Sequence, residues 1–401
     1  MPMTRTSDFR PGDRIVLVGT MKGAFVFRGR GRSYQRLGGP RFPGQPVYAL
    51  AYDDRGGRTR LYAGTEHPHF GSVLRASDDL GRTWSEPKQP NIQFPADTEL
   101  ALKQIWQIAP GRTDEPDVLY CGVNPSSLFE SRDRGESWML VRSLHDHPHR
   151  PKWTPGAGGL CLHTILPHPK DKRTMLVAMS TGGVYRTTDG GMSWQASNTG
   201  IRAEFLPDKH PEFGQCVHKV VRDAVRPNRY FLQNHWGLYR SDDGGVSWKD
   251  VANGVPSDFG FAMASHPHDP DTVYIVPLQS DEFRCTPDAR LRVYRTRDAG
   301  RSWKPLTRGL PQKDAWETVL RDGLTTDAAE PAGIYFGTRS GKLFASRSDG
   351  GSWECLAAGL PPVTCVRAAL VRGVARPATR PGTLSRPRRP GASRPRARRA
   401  R

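Results

Sequence analysis

The chain has 401 residues, 42 of them glycine and 35 proline, and a net charge of +19. Its apolar content suffices for a packed core, which excludes wholesale disorder, and no run of 18 apolar residues exists, which excludes a membrane-spanning helix. The charge is largely terminal: residues 371–401 hold 11 arginines and no acidic residue, and without them the balance is +8.

The N-terminal segment MPMTRTSDFRPGDR lacks the apolar stretch of a secretion signal, so residues 1–12 read as an extension and a cytoplasmic location is expected. RIVLVG, GAFVFR and SYQRL then predict three short strands, and from Val47 onward the same cycle recurs with a fourth. Each cycle opens on an apolar run (VYALAY, QIWQIA, LHTILP, VHKVVR, FAMAS, VLRDG) and continues through a second one (LYAG, VLYCGV, MLVAMS, YFLQ, VYIV, IYFG). An alternating segment follows (SVLRAS, SLFESR, GVYRTT, GLYRSD, RVYRTR, KLFASR), ending in [ST]-x-D-x-G-x-[ST]-W. The closing tryptophans, Trp84, Trp138, Trp194, Trp248, Trp303 and Trp353, are spaced by 54, 56, 54, 55 and 50 residues. In the sixth copy Ser348 replaces the aspartate, and Tyr34 marks a worn first copy. Seven repeats near 50 residues, each with four short strands, predict an all-β seven-bladed propeller of four-stranded antiparallel blades over residues 13–370. The first repeat lacks an opening strand and VTCVRAAL, residues 363–370, follows the last, so the C-terminal strand is expected to close the ring in the first blade. Residues 371–401 read as a disordered Arg/Pro-rich tail.

The motif is the Asp box, and the chain resembles the BNR/Asp-box propellers, a superfamily that includes sialidases and xyloglucan hydrolases. It is also similar to uncharacterised bacterial proteins labelled glycosyl hydrolase or exo-sialidase. Asp79, Asp133, Asp189, Asp243 and Asp298 each lie in a different blade and so read as turn-holding residues, not a convergent site. The Arg-Ile-Pro signature that sialidases carry is replaced by Arg14-Ile15-Val16.

Sorting loops by blade topology places nine of the 12 histidines, and the four tryptophans outside the motif, on one face, called the top. Cys161-Leu162-His163 and Cys216-Val217-His218 occupy equivalent places on adjacent blades, and the closing strand repeats the theme as Cys365-Val366-Arg367. Equivalence predicts a mouth ring of Tyr48, Trp106, His163, His218, Phe261, Glu317 and Arg367. Three readings stay open. The cysteines are small core fillers; or Tyr48, Trp106, His163, His218, Glu317 and Arg367 bind a ligand; or Cys161, His163, Cys216 and His218 hold zinc, whose ligand types these are. No other cofactor is expected.

The sequence favours a sialidase-like scaffold binding a polar small molecule, a glycan or a protein on its top face over an enzyme. The alternative is a glycoside hydrolase acting on a small glycan or glycoside, with Glu317 the candidate catalytic carboxylate. Other top-face carboxylates are Glu99, Glu204, Asp208, Glu212, Asp258 and Asp281. The arginine-rich tail could hold nucleic acid through phosphate contacts; no membrane partner is expected.

Overall fold

A computed structural model describes residues 9–156 and 158–372. The arginine-rich segment beyond Arg372 lies outside the described residues. Seven antiparallel sheets radiate around a central channel. Strands are lettered A to D from the channel outward. Blade 5 is representative: Val217–Arg222, Tyr230–Asn234, Leu238–Ser241 and Lys249–Asp250 follow one another across the sheet. Among the described residues six sheets carry four strands, and blade 2 carries three. On the outer edge of blade 2 the Asn91 side chain replaces a strand: its Oδ1 accepts Leu74 N–H at 3.0 Å and its Nδ2 donates to Leu74 O at 2.9 Å. The ring closes as expected, with Val363–Leu370 antiparallel to Arg14–Thr20 in blade 1, Arg14 opposite Leu370 and Val18 opposite Val366. Among the described residues no helix is long and apolar enough to cross a membrane.

The core is divided among the blade interfaces. Among the described residues seven hydrophobic clusters occur, each shared by two neighbouring blades. The motif tryptophans supply much of this packing. Trp248 packs with Leu176, Ala178 and Val184 of blade 4, and its Nε1 donates to Ser197 O at 2.8 Å. Such a contact satisfies the indole polar atom while burying its rings.

The motif aspartates hold the C–D turns. Asp189 Oδ1 accepts Ser193 N–H at 3.0 Å and the Thr187 hydroxyl at 2.7 Å, and its Oδ2 accepts the Ser193 hydroxyl at 2.5 Å. Asp79, Asp133, Asp243 and Asp298 repeat the arrangement. The hydrogen bonds from Ser193 and Thr187 hold the Asp189 carboxyl well below the usual carboxylate range.

Blade 7 departs from the sequence reading. Its strand A is Leu324–Thr326, not the VLRDG run of residues 319–323. Gly323 N–H donates to Leu320 O, so the chain turns there before it enters the sheet. The shift decides which residue of blade 7 reaches the channel mouth.

Candidate functional site at the channel mouth

Strand A carries one extra residue at the same height in blade after blade. The register shifts between Val47 and Ala49, Ile105 and Gln107, Leu162 and Thr164, Val217 and Lys219, and Gly260 and Ala262. The bulged residues are therefore Tyr48, Trp106, His163, His218 and Phe261. A bulge breaks the alternation of faces and re-aims its side chain, so these five residues occupy one ring. In blade 1 the shift opposite Gly19 and Thr20 makes Thr364, not Arg367, the bulged residue of the closing strand. In blade 7 Asp322 takes this place: it bridges to Cys365 and its carbonyl accepts Val366 N–H.

Three members of the ring, Tyr48, Trp106 and Phe261, line a top-face cavity of about 130 Å³ with Arg284, Leu320, Arg321, Asp322 and Thr364. Tyr48 and Trp106 stand 5.6 Å apart between ring centroids. The Arg321 guanidinium lies 5.2 Å over Trp106, and that of Arg284 lies 5.5 Å over Phe261. Arg321 is fixed from behind, its Nε donating to His218 O at 2.6 Å and its Nη2 to Ser180 Oγ at 3.2 Å. The indole Nε1 of Trp106 is buried and has no hydrogen-bond partner.

Asp322 is the carboxylate of the cavity. Its Oδ1 accepts Lys219 Nζ at 2.8 Å and Arg367 Nη2 at 2.9 Å. Burial raises its pKa, but the two cations outweigh burial and hold the carboxyl below the ordinary range. Lys219 is buried on the channel wall, where burial pushes its pKa down against the pull of Asp322. Glu66 near the top of blade 2 has the opposite environment. It is half-buried, burial pushes its carboxyl up, and its charge acts on the Tyr48 phenol.

The remaining sequence candidates lie elsewhere. Glu317 is buried and engaged: Oε1 accepts Lys342 Nζ at 2.8 Å and Oε2 accepts the Ser340 hydroxyl at 2.6 Å. The turn at Gly323 displaces strand A of blade 7, so the position equivalent to Trp106 and His163 falls five residues after Glu317, on Asp322. Arg367 sits deeper in the channel, donating to Leu50 O and Asp322. His163 is fully buried between blades 4 and 5, Nε2–H donating to Val217 O at 2.9 Å and Nδ1 accepting from Thr164 Oγ1 at 3.0 Å. With both ring nitrogens used it has no lone pair for a metal. Cys161 is buried against Ser180 Oγ at 3.3 Å. The two C-x-H pairs therefore do not converge on one ion. Asp258 pairs with Arg202, Asp281 with His235, and Glu204 with Arg202 and Lys209, all outside the cavity.

Asp322, Arg284, Arg321 and Lys219 are not in the ring that the sequence predicts. Asp322 was within reach: counting back from IYFG at residues 334–337, as the other blades do from their strand B, leads to it.

No family model matches the chain. A probable oligoxyloglucan-reducing end-specific xyloglucanase of Neosartorya fischeri is 24% identical over 269 residues, 59% of this chain and 31% of that protein. A xyloglucanase of Hypocrea jecorina is 23% identical over 281 residues, 61% of this chain and 30% of that protein. The chain thus spans about a third of the length of these relatives. Among solved structures an ancestral GH74 enzyme superposes with a TM-score of 0.51 at 16% identity, covering 77% of this chain and 38% of that one; the likeness is one of fold. These relatives overturn the BNR/Asp-box, sialidase-like assignment and with it the preference for a non-enzymatic scaffold. The repeated motif misled because it specifies a blade turn, which propellers of different activity share. Nothing in the fold or the relatives supports the cytoplasmic location read from the N-terminus. The chain is a seven-bladed β-propeller whose similarity is to xyloglucanases, not to sialidases.

Proposed function

We propose that the chain is a glycoside hydrolase unit of GH74 type that takes a glucan-derived oligosaccharide at the channel mouth. The observation that carries this reading is the cavity itself: two adjacent aromatic rings line it, with the Arg321 guanidinium over one of them and the ionised Asp322 beside them. Sugar rings stack on aromatic faces, which Tyr48 and Trp106 provide. Glycoside hydrolysis uses two carboxyl groups with opposite tasks. Asp322, held ionised by Lys219 and Arg367, suits the base or the charge that stabilises an oxocarbenium-like transition state. The xyloglucanase relatives supply the substrate class.

The test is release of reducing ends from xyloglucan, its oligosaccharides and an unbranched β-glucan. Asp322→Asn, at the carboxylate that lines the cavity, is expected to lower kcat by about 100-fold or more with little change in KM. A folded wild-type chain that cleaves none of the three substrates would overturn the reading.

A further inference from the structure

Outside the cavity, two groups among the described residues bring metal-ligating atoms of three side chains together. One, His266, Asp269 and Asp349, is already neutralised, because Asp349 takes Arg295, Arg297 and the Tyr274 hydroxyl. The other is Cys216, His218 and His235, all on blade 5.

We propose that Cys216, His218 and His235 form a zinc site behind the wall of the mouth cavity, with a fourth position left to water. The three ligand atoms lie within 4.8 Å of one another. Cys216 Sγ and His218 Nε2 are 3.6 Å apart. Two ligands at about 2.3 Å and about 2.0 Å from a tetrahedral zinc stand roughly 3.5 Å from each other, so this pair needs almost no movement to bind.

The tautomers are set by partners that can only accept. Gly260 O takes His218 Nδ1–H at 2.6 Å, which turns the Nε2 lone pair toward the thiol. Asp281 Oδ2 takes His235 Nε2–H at 3.1 Å, which leaves Nδ1 to coordinate. An imidazole whose far nitrogen donates to a carbonyl or carboxylate is the arrangement found behind metal-bound histidines. By contrast His163, the residue equivalent to His218 one blade earlier, has no free nitrogen.

The frame is rigid. His235 N–H donates to Cys216 O at 2.9 Å, tying the end of strand B to the start of strand A. Phe261 packs on His218 at 4.5 Å between centroids and also lines the cavity, so the ion would lie next to the mouth. Cys216 and His235 are half-buried, which gives a cation a way in. One thiolate and two imidazoles suit zinc and not magnesium or calcium, which prefer oxygen ligands. On binding, the Cys216 S–H bond breaks, the S–Zn bond forms and the proton leaves to the buffer.

The test is a titration of the chelator-stripped full chain with Zn²⁺ against a chromophoric competitor. One equivalent per chain is expected. Cys216→Ser and His235→Gln should each weaken binding by more than about 100-fold, and Asp281→Asn by about 10-fold. Cys355→Ser, which changes an exposed thiol, should leave it unchanged. With Co²⁺ a thiolate charge-transfer band should appear in the wild type and be absent from Cys216→Ser. In the wild type Zn²⁺ should also protect Cys216 from alkylation, read by peptide mapping, which needs no folded variant. Absence of stoichiometric binding, binding that survives both ligand substitutions, or an unprotected Cys216 would overturn the site.

Discussion

His163 and His218 stand at the same bulge on neighbouring blades yet do different work, because a histidine's chemistry is decided by what its two nitrogens meet. His163 spends both, on Val217 O and Thr164, and acts as a strut between blades. His163→Ala should therefore cost about 3 kcal/mol, from the lost volume and an unpaired Val217 carbonyl. Urea unfolding would show it as a lower midpoint, while zinc affinity stays as in the wild type. An unchanged midpoint would mean that the strut contributes nothing. Asp322 is the opposite case: its partners are cations that keep it charged in a buried site, so its ionisation depends on Lys219 and Arg367 as much as on itself.

The motif turn is the unit of each blade's outer edge. The sixth copy retains both partners of the missing aspartate: Ser346 two residues before and Ser352 four residues after, already joined to Ser348 through its hydroxyl. Ser348→Asp should complete the turn and stabilise the chain by about 0.5–1 kcal/mol, seen as a rise in Tm of a degree or two. Asp189→Ala should act in reverse. The pH dependence follows from the sign of the shift. The folded pKa of Asp189 lies below its unfolded value near 3.8, so its stabilisation is present above that value and is lost as pH falls through the folded pKa. The difference in Tm between wild type and Asp189→Ala should accordingly be constant near neutrality and shrink below about pH 4.

At the scale of the whole ring, closure is the element on which every interface depends, because each blade buries its apolar faces only against its two neighbours. Val366 is fully buried, stands opposite Val18 in blade 1 and donates its N–H to Asp322 O in blade 7. Val366→Pro removes that donor at the seam. A fall in Tm of about 5 °C or more is expected, with new protease cleavage in blades 1 and 7. A variant as stable and as resistant as wild type would show that the seam is not needed to hold the ring.

Period, strand order and closure were all legible in the sequence, because a repeat must reproduce its hydrophobic pattern and its turn residues in every copy to pack against identical neighbours. The motif aspartates were legible for the same reason: five copies on five blades cannot meet. The mouth was legible in five blades, where Tyr48, Trp106, His163, His218 and Phe261 keep a constant spacing to strand B. It was lost in blade 7, where a turn at Gly323 displaces strand A and puts Asp322 in the place assigned to Glu317, and in the closing strand, where the bulge falls on Thr364. Which polar groups cooperate was decided by the tertiary structure alone. Lys219 and Arg367 meet Asp322 from other blades, and His235 joins Cys216 and His218 from the end of a different strand. The sequence by itself determined the ring, because hydrophobic periodicity and turn chemistry are local. The site depends on directions of side chains across blades, and those are set only when the ring has closed.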